Sequence, residues 1–243
     1  MGNATAVCSD KTGTLTENKM TVVSASVAEK ECVRSQEIQR WRYAVNPTAL
    51  DLFVESISVN STAFEGKDPE GQVKLIGSTT ECAMIELVRK LGYSYQDQRA
   101  ASRSATIYPF SSTVKSMTTI IEVNDSNVYS STRSDYRLYT KGAAETIIKA
   151  CTHYIDIRGR VRPMERHVRV EQEKLVQSYA ERSLRTLALA YRDVNKATFD
   201  GKWDERGWHE TDVGRIRSGR CTSASSRLAG YRRYSRSTSS GCH

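Results

Sequence analysis

The spacing of apolar residues along the chain predicts strands that alternate with amphipathic helices. Extended segments are predicted at 4–8 and at 19–28, where β-branched valines favour a strand. Asn46-Pro47 is typical of an N-cap followed by proline at the first helical position. Apolar residues at helical spacing follow it and predict a helix that ends near 60–62.

The same mixture continues to residue 191. The remaining predicted elements, in chain order, are a short strand at 73–76, a helix from Thr80 that stops at Gly92, strands at 105–108, 115–123 and 136–140, a helix opened by Lys141 that runs through Cys151, a helix at 165–182 and a strand at 184–191. Residues 29–42 are charged and weakly patterned, so we expect a surface connection there, and polar residues 124–135 predict a hairpin loop. The pattern indicates an α+β fold with an antiparallel sheet and flanking helix pairs.

Composition is typical of a soluble globular chain. The 243 residues are 38% hydrophobic, with a mean hydropathy of −0.54. The most apolar stretch, 186–191, is far shorter than the ~18 to 20 residues that a membrane helix requires. Six cysteines lie far apart, without metal-ligand spacing, so we expect reduced thiols in a cytosol-facing protein.

The net charge of +8 belongs to the C-terminal part of the chain. Residues 213–243 hold seven arginines and no acid, whereas the first 212 residues hold 29 basic and 28 acidic side chains. The near-neutral body therefore predicts no nucleic-acid partner. The Arg/Ser/Gly-rich composition predicts disorder over 196–243. An RNA-binding Arg/Ser tail at 215–236 is the alternative.

Candidate chemistry begins with the run CSDKTGTLT at 8–16, which places the Asp10 carboxylate on a Gly/Thr-rich turn after a short apolar segment. An aspartate can attack the γ-phosphorus of ATP and form an acyl phosphate when cations, here Lys11 and Mg²⁺, offset the charge. Four residues, Asp-Lys-Thr-Gly, would be explained as well by a capped turn leading into a strand. Nine consecutive residues favour the nucleophile.

This run, followed by ENKMTVV at 17–23, resembles the phosphorylation loop of P-type cation-transporting ATPases, and its flanks are similar to those of plasma-membrane-type calcium pumps. The resemblance implies that Asp10 is phosphorylated and that Asp10 and the Thr12 carbonyl hold Mg²⁺. Haloacid-dehalogenase-type phosphatases share this kind of loop but usually carry an aspartate as general acid where this chain has Thr12. Without that acid, we expect the phosphoenzyme to persist.

Five further patterns resemble the nucleotide-binding domain of calcium pumps and occur in the expected order. They are VNSTAFEG at 59–66, GSTTECA at 77–83, PFSSTVKSM at 109–117, KGAAE at 141–145 and LRTLALAYRD at 184–193. The residues that the resemblance assigns to ATP are Glu81 at the adenine amino group, Phe110 stacked on the ring, Lys115 and Lys141 along the base and phosphate path, Gly142 where the backbone approaches closely, and Arg185 at the phosphates.

Taken singly, each of these residues also has a plain structural explanation. Phe110 alone would be expected in the core, Lys115 and Lys141 on a solvated surface, Arg185 in a salt bridge and Glu81 at a helix start. Their order along the chain, together with the loop at Asp10, favours the ATP site. The helix predicted from Lys141 would direct main-chain N–H groups at the ligand.

The resemblance implies three regions. Residues 1–28 would be the first strand and loop of an incomplete haloacid-dehalogenase-like α/β phosphorylation domain, 29–195 a nucleotide-binding domain, and 196–243 a segment outside the family. Reverse translation of 230–243, advanced by one nucleotide, permits GIVGIQDPLRPGV, the form in which a pump re-enters its phosphorylation domain. We therefore interpret the tail as an out-of-frame reading, which the coding DNA tests.

The expected function is that of a cytosolic fragment of a calcium pump of the plasma membrane or vacuole, with ATP and Mg²⁺ as ligands. Calcium would be bound by membrane helices that this sequence does not contain. A later TGDG-x-N-D motif is also not present, so we expect nucleotide binding without turnover. The alternatives are a soluble haloacid-dehalogenase-like phosphotransferase and a non-catalytic nucleotide-binding module.

Overall fold

A computed structural model describes residues 19–32, 37–67, 71–123, 135–194 and 222–231. The strands in these ranges are β1 (Val22–Val27), β2 (Lys30–Cys32), β3 (Phe64–Lys67), β4 (Val73–Ile76), β5 (Arg103–Ser111), β6 (Ser116–Glu122), β7 (Tyr136–Ala143), β8 (His153–Ile155), β9 (Val161–Pro163), β10 (Thr186–Val194) and β11 (Thr222–Tyr231). The helices are α1 (Ile38–Ala44), α2 (Pro47–Val59), α3 (Thr79–Lys90), α4 (Tyr95–Ala101), α5 (Ala144–Ala150) and α6 (Arg166–Glu181).

Nine of the strands form one sheet, in which the main order is β2-β1-β11-β10-β7-β6-β5. Strand β8 pairs with β11 and β9, and β3 and β4 form a separate antiparallel hairpin. The pairs are antiparallel except for β8 with β11. The predicted α+β class with an antiparallel sheet is confirmed. The strand predicted at 4–8, on which the haloacid-dehalogenase-like region depends, lies outside the described residues.

Helices cover both faces of the large sheet. Side chains alternate between the two faces along each strand, so a strand can contribute apolar residues to both helical layers. The larger core cluster joins residues of α1, α2 and α3 to one face, with Phe53 and Ile57 of α2 against Tyr139 and Leu189. On the opposite face, α5 and α6 pack against β10 around Ala188. The sheet therefore lies between two helical layers.

Local signals account for the start of the two helices that carry the site. The Asn46 side chain accepts a hydrogen bond from the Ala49 N–H at 3.4 Å, with Pro47 at the first position of α2. Ser78 caps α3 by accepting from the Glu81 N–H at 3.2 Å. After α3, Gly92 has a φ of +80°, a left-handed conformation that glycine adopts without strain. Both predicted helices are confirmed.

Residues 29–42 are more than the surface connection that their charge suggests. They contain β2 and most of α1, whose Trp41 is 5% exposed and packs edge-to-face on Phe53. The Trp41 indole N–H donates to the Lys30 carbonyl at 3.0 Å. The Trp41 ring thus anchors a segment in which the spacing of apolar residues shows no clear period. Helix α4 and strands β3, β8 and β9 were likewise not predicted.

Two further predictions differ from the structure. Lys141 and Gly142 lie near the end of strand β7 instead of opening a helix, and α5 begins only at Ala144. Part of the segment expected to be disordered, Thr222–Tyr231, forms β11 between β1 and β10. A strand in that position pairs the backbone N–H and C=O groups of both neighbours, which its polar composition does not reveal. Among the described helices, none is long and apolar enough to cross a bilayer.

Candidate functional site

Most of the residues predicted to bind the nucleotide lie at one end of the sheet. Ser116 of β6 pairs with Ser111 of β5 and with Gly142 of β7, and Gly142 also pairs with Ala188 of β10. We call the part of the sheet around these four residues the site end. The register brings these strand ends, which are far apart in the sequence, side by side. The residues predicted to bind the nucleotide lie next to them.

The residues at the site end come from strands β5 and β7, from the positions just before β6 and β10, and from α3. Phe110 and Lys115 lie next to Ser111 and Ser116, and Lys141 precedes Gly142. Arg185 lies just before β10. Glu81 comes from the first turn of α3 and reaches Lys141 across the helix–sheet interface.

The centre of the site is a buried ion pair between Glu81 and Lys141. The Lys141 Nζ donates to Glu81 Oε1 at 2.5 Å and to the Asn60 carbonyl oxygen at 2.5 Å. Lys141 and Glu81 are each 6% exposed. Lys141 is therefore not the solvated surface residue that it would be taken for in isolation.

Glu81 has the position of a capping-box residue but makes different contacts. It stands three residues after the N-cap Ser78, from where a glutamate commonly reaches back to the N-cap N–H. Its second oxygen, Oε2, instead accepts from the Thr62 N–H at 3.2 Å and from the Thr62 hydroxyl at 2.8 Å. The carboxylate is thus directed away from its own helix and towards the sheet.

The electrostatic environment keeps Glu81 ionised. Burial by itself would raise the pKa of this carboxyl group. The positive charge of Lys141 and the hydrogen bonds from Lys141 and Thr62 outweigh that effect and lower the pKa below its ordinary value. Burial lowers the pKa of Lys141, and Glu81 opposes that shift. The two groups form a charge pair at neutral pH.

Arg99 of α4 supports the same region and was not predicted. Its Nε donates to the Ser58 carbonyl at 2.7 Å and its Nη2 to the Ser61 carbonyl at 2.8 Å, so it binds carbonyls at the end of α2. Its guanidinium carbon lies 4.8 Å from the Tyr95 ring centroid. Asn60 and Thr62 lie within the recognised VNSTAFEG pattern, but no pattern in the sequence marked Arg99.

Phe110 and Lys115 are accessible at the site end. Phe110 is 60% exposed, so it is not the core residue that a lone phenylalanine would suggest. An exposed aromatic ring at the same end of the sheet as a buried ion pair is a surface on which a planar ligand can stack. Lys115 is exposed and has a φ of +56°, in the tight turn between β5 and β6. Arg185 is exposed as well.

Gly142 permits a close approach of the protein's own backbone. A Cβ at position 142 would lie 2.5 Å from the Lys115 carbonyl oxygen and 3.0 Å from the Ser116 Cβ. That carbonyl accepts a hydrogen bond from the Ala143 N–H at 3.1 Å. The predicted start of the helix at Lys141 is wrong, since Gly142 lies in a strand and α5 begins at Ala144.

The predicted nucleophile and metal ligands, Asp10, Lys11 and Thr12, lie outside the described residues. Within the ranges that are described, no three His, Cys, Asp or Glu side chains cluster in a way that could hold a metal ion. A cavity of about 870 Å³ lies on the opposite side of the sheet from Lys141, between β5–β7 and α5, with Thr118 and Thr140 in its lining. It is separate from the site end's buried ion pair.

A family model described as P-type ATPase, cytoplasmic domain N, matches residues 49–218. The match runs from α2 to β10, so it concerns most of the α+β fold and not one motif. It continues past residue 195, where we expected the resemblance to end. The chain belongs to the P-type ATPase family. The resemblance stated from the sequence is confirmed.

Curated relatives are calcium pumps by name. Calcium-transporting ATPase PAT1 of Dictyostelium discoideum is 34% identical over 202 residues, which are 83% of this chain and 17% of that protein. Plasma membrane calcium-transporting ATPase 2 of Oreochromis mossambicus is 38% identical over 213 residues, 84% of this chain and 18% of that protein. The human plasma membrane calcium-transporting ATPase 1 is 37% identical over 224 residues, 88% of this chain and 17% of that protein. The chain spans about a sixth of the length of these relatives.

Proposed function

We propose that this chain binds ATP at the site end of the sheet and belongs to a pump that uses the nucleotide to transport calcium across a membrane. The observation that carries the proposal is the buried Glu81–Lys141 pair at the same end of the sheet as the exposed ring of Phe110. The pair supplies an acceptor and a donor in fixed positions, and the ring supplies a stacking face. This combination suits a planar, polar base.

The base would be recognised by hydrogen bonding and stacking. An ionised carboxylate only accepts hydrogen bonds, so Glu81 complements the amino group of adenine and opposes the carbonyl oxygen that guanine carries at the same place. Phe110 would cover one face of the ring. Lys141 retains N–H capacity beyond its bonds to Asn60 and Glu81, because an ammonium has three donors.

The phosphates of ATP would bind to the exposed cationic side chains of the site end. Lys115 and Arg185 are both exposed and adjoin the strand ends. ATP bears about four negative charges, and charge-assisted hydrogen bonds from lysine and arginine are the usual protein contacts for phosphate. Because exposed cations are screened by salt, ATP affinity should fall as ionic strength rises.

In the whole pump, we propose that a carboxylate oxygen of Asp10 forms a bond to the γ-phosphorus of ATP. The bond from that phosphorus to the β–γ bridging oxygen breaks, and ADP leaves with the electron pair. Bound Mg²⁺ would neutralise charge on the phosphate oxygens, and the carboxylate and carbonyl oxygens of Asp10 and Thr12 suit that cation. Lys11 would add a second positive charge. These assignments rest on the sequence motif.

ATP titration of the 243-residue chain, followed by calorimetry and by NMR, tests the binding proposal. We expect saturable binding, weakened about tenfold by Phe110→Ala because the stacking face is lost. Ile107→Ala is the matched control, since Ile107 is an exposed apolar residue on the same strand. Absence of a saturable response, or equal losses in both variants, would contradict the proposal.

A turnover assay separates this proposal from a soluble phosphotransferase. We expect the 243 residues to bind ATP without releasing phosphate at a measurable rate. Phosphate release that disappears in Asp10→Asn would show that the chain transfers phosphoryl groups by itself.

A further inference from the structure

Thr62 provides two of the three hydrogen bonds that Glu81 accepts from described residues. Its main-chain N–H and its hydroxyl both donate to Oε2, at 3.2 Å and 2.8 Å, while Lys141 occupies one position on Oε1. A carboxylate has about four acceptor positions. Two donors on one oxygen and one on the other fix the carboxylate plane and leave one position on Oε1.

We propose that Thr62 is a positioning residue that sets the preference of the site for adenine over guanine. The inference rests on the proposed function, because it concerns the base that the site selects. With Thr62 in place, the remaining acceptor position of Glu81 has a defined direction and the group stays ionised. It therefore accepts from the adenine amino group and repels the oxygen of guanine.

The surrounding contacts hold Thr62 itself in place. Asn60, two residues earlier, is 0% exposed, and its side-chain amide donates to the carbonyls of Met117 at 3.3 Å and Tyr139 at 3.1 Å. Its side-chain oxygen accepts from the Thr119 hydroxyl at 3.0 Å. These bonds fasten the turn after α2 to strands β6 and β7, so the turn and the sheet that carries Lys141 form one unit.

Loss of the Thr62 hydroxyl has a specific chemical consequence. An acceptor position on Oε2 is vacated, the carboxylate gains freedom to turn, and its ionised form loses a hydrogen bond. A carboxyl group that protonates more readily can donate to the guanine oxygen as well as accept from the adenine amino group, so the site discriminates less between the two bases. The main-chain N–H of residue 62 remains, so the change isolates the hydroxyl.

The test compares Thr62→Val, Thr62→Ala and Thr62→Ser in the full chain, with Kd measured for ATP and GTP by calorimetry. We expect the valine and alanine variants to weaken ATP binding about tenfold and to change GTP binding by less than about twofold. Thr62→Ser, which keeps the hydroxyl, should restore the ATP-to-GTP ratio to within about twofold. Thr146→Val, on α5 at the opposite face, is the control and should change neither Kd.

A carboxyl titration by NMR gives a second readout, in which the valine variant should show a higher Glu81 pKa than the serine variant. Thr62 is exposed, so its substitution leaves the core intact. Equal loss of ATP and GTP affinity, or an unchanged ratio, would overturn the role of Thr62 while leaving the proposed function standing. A wild-type chain that binds neither nucleotide would overturn both.

Discussion

The main-chain carbonyl of Lys115 lies directly against Gly142, at a distance where no Cβ fits. A Cβ built on Gly142 would lie 2.5 Å from the Lys115 carbonyl oxygen. The glycine in the KGAAE pattern is therefore explained by the packing of β6 against β7, in addition to any approach by a ligand. The same contact connects the Lys115 turn to the end of the strand that carries Lys141.

Gly142→Ala should destabilise the chain by about 1–3 kcal/mol, because the methyl group meets backbone on a neighbouring strand and the strands must separate. ATP binding should weaken with it, since Lys115 and Lys141 shift relative to each other. Urea unfolding and ATP titration measure the two effects. Ser112→Ala, in the exposed part of the same turn, is the control, and a Gly142→Ala chain with unchanged stability would contradict the steric explanation.

Acid should remove the stabilising contribution of Glu81. The pKa of Glu81 is lower in the folded chain than the ordinary value of 4.5. At pH values between the folded-state pKa and 4.5, the unfolded chain therefore binds more protons than the folded chain. The contribution is complete above about pH 4.5 and is lost as the pH falls through the folded-state pKa. Glu81→Gln should therefore cost about 3 kcal/mol near pH 7, where Lys141 loses its buried partner, and less as the pH falls below 4.5.

Unfolding free energies between pH 3 and pH 7 for wild type and Glu81→Gln give this difference directly. Glu86→Gln, on the same helix, is the control: it removes a partly exposed partner of Arg89 and should cost less than about 1 kcal/mol at pH 7. A gap between wild type and Glu81→Gln that widened towards acid would have the wrong sign for an ionised, hydrogen-bonded Glu81.

Arg137 joins β7 to β10 at the far end of the sheet from the site. Its Nε and Nη2 donate to the two oxygens of Asp193 at 2.6 and 3.1 Å, and its Nη1 lies 3.7 Å from Glu55 Oε2. The Tyr139 hydroxyl also donates to Glu55. Arg137 is 1% exposed, so its removal leaves carboxylates buried without their cation.

Arg137→Met should lower the free energy of unfolding by about 3–5 kcal/mol. Arg162→Met removes an arginine that is 48% exposed from its pair with Asp156, which keeps Arg160 as a partner, and should cost less than about 1 kcal/mol. Chemical denaturation of the two variants provides the comparison. Similar small losses in both would mean that the Arg137 network contributes no more than a surface pair.

The sequence predicted elements whose signals are local and could not predict contacts between distant segments. Asn46-Pro47 marks the start of α2 by itself, because capping involves residues within one turn. Lys141 and Gly142 precede helix-favouring residues, and pairing with β6 and β10 decides that they lie in a strand. The Thr62–Glu81 bonds depend on the fold bringing the two segments together, and neither residue type alone indicates them.

Strand β11 gives a test of whether the C-terminal part of the chain belongs to the fold. Composition predicts disorder for 196–243, whereas β11 pairs with β1 on one side and β10 on the other. Ending the chain after residue 221 would leave one edge of both β1 and β10 unpaired and exposed. We expect a lower unfolding midpoint, a smaller denaturant m-value and a tendency to aggregate.

Ending the chain after residue 231 keeps the strand and serves as the control, which should unfold like the full chain. If both truncated chains match the full chain in midpoint and m-value, residues 222–231 contribute nothing to the sheet in solution, and the expectation from composition holds for that segment.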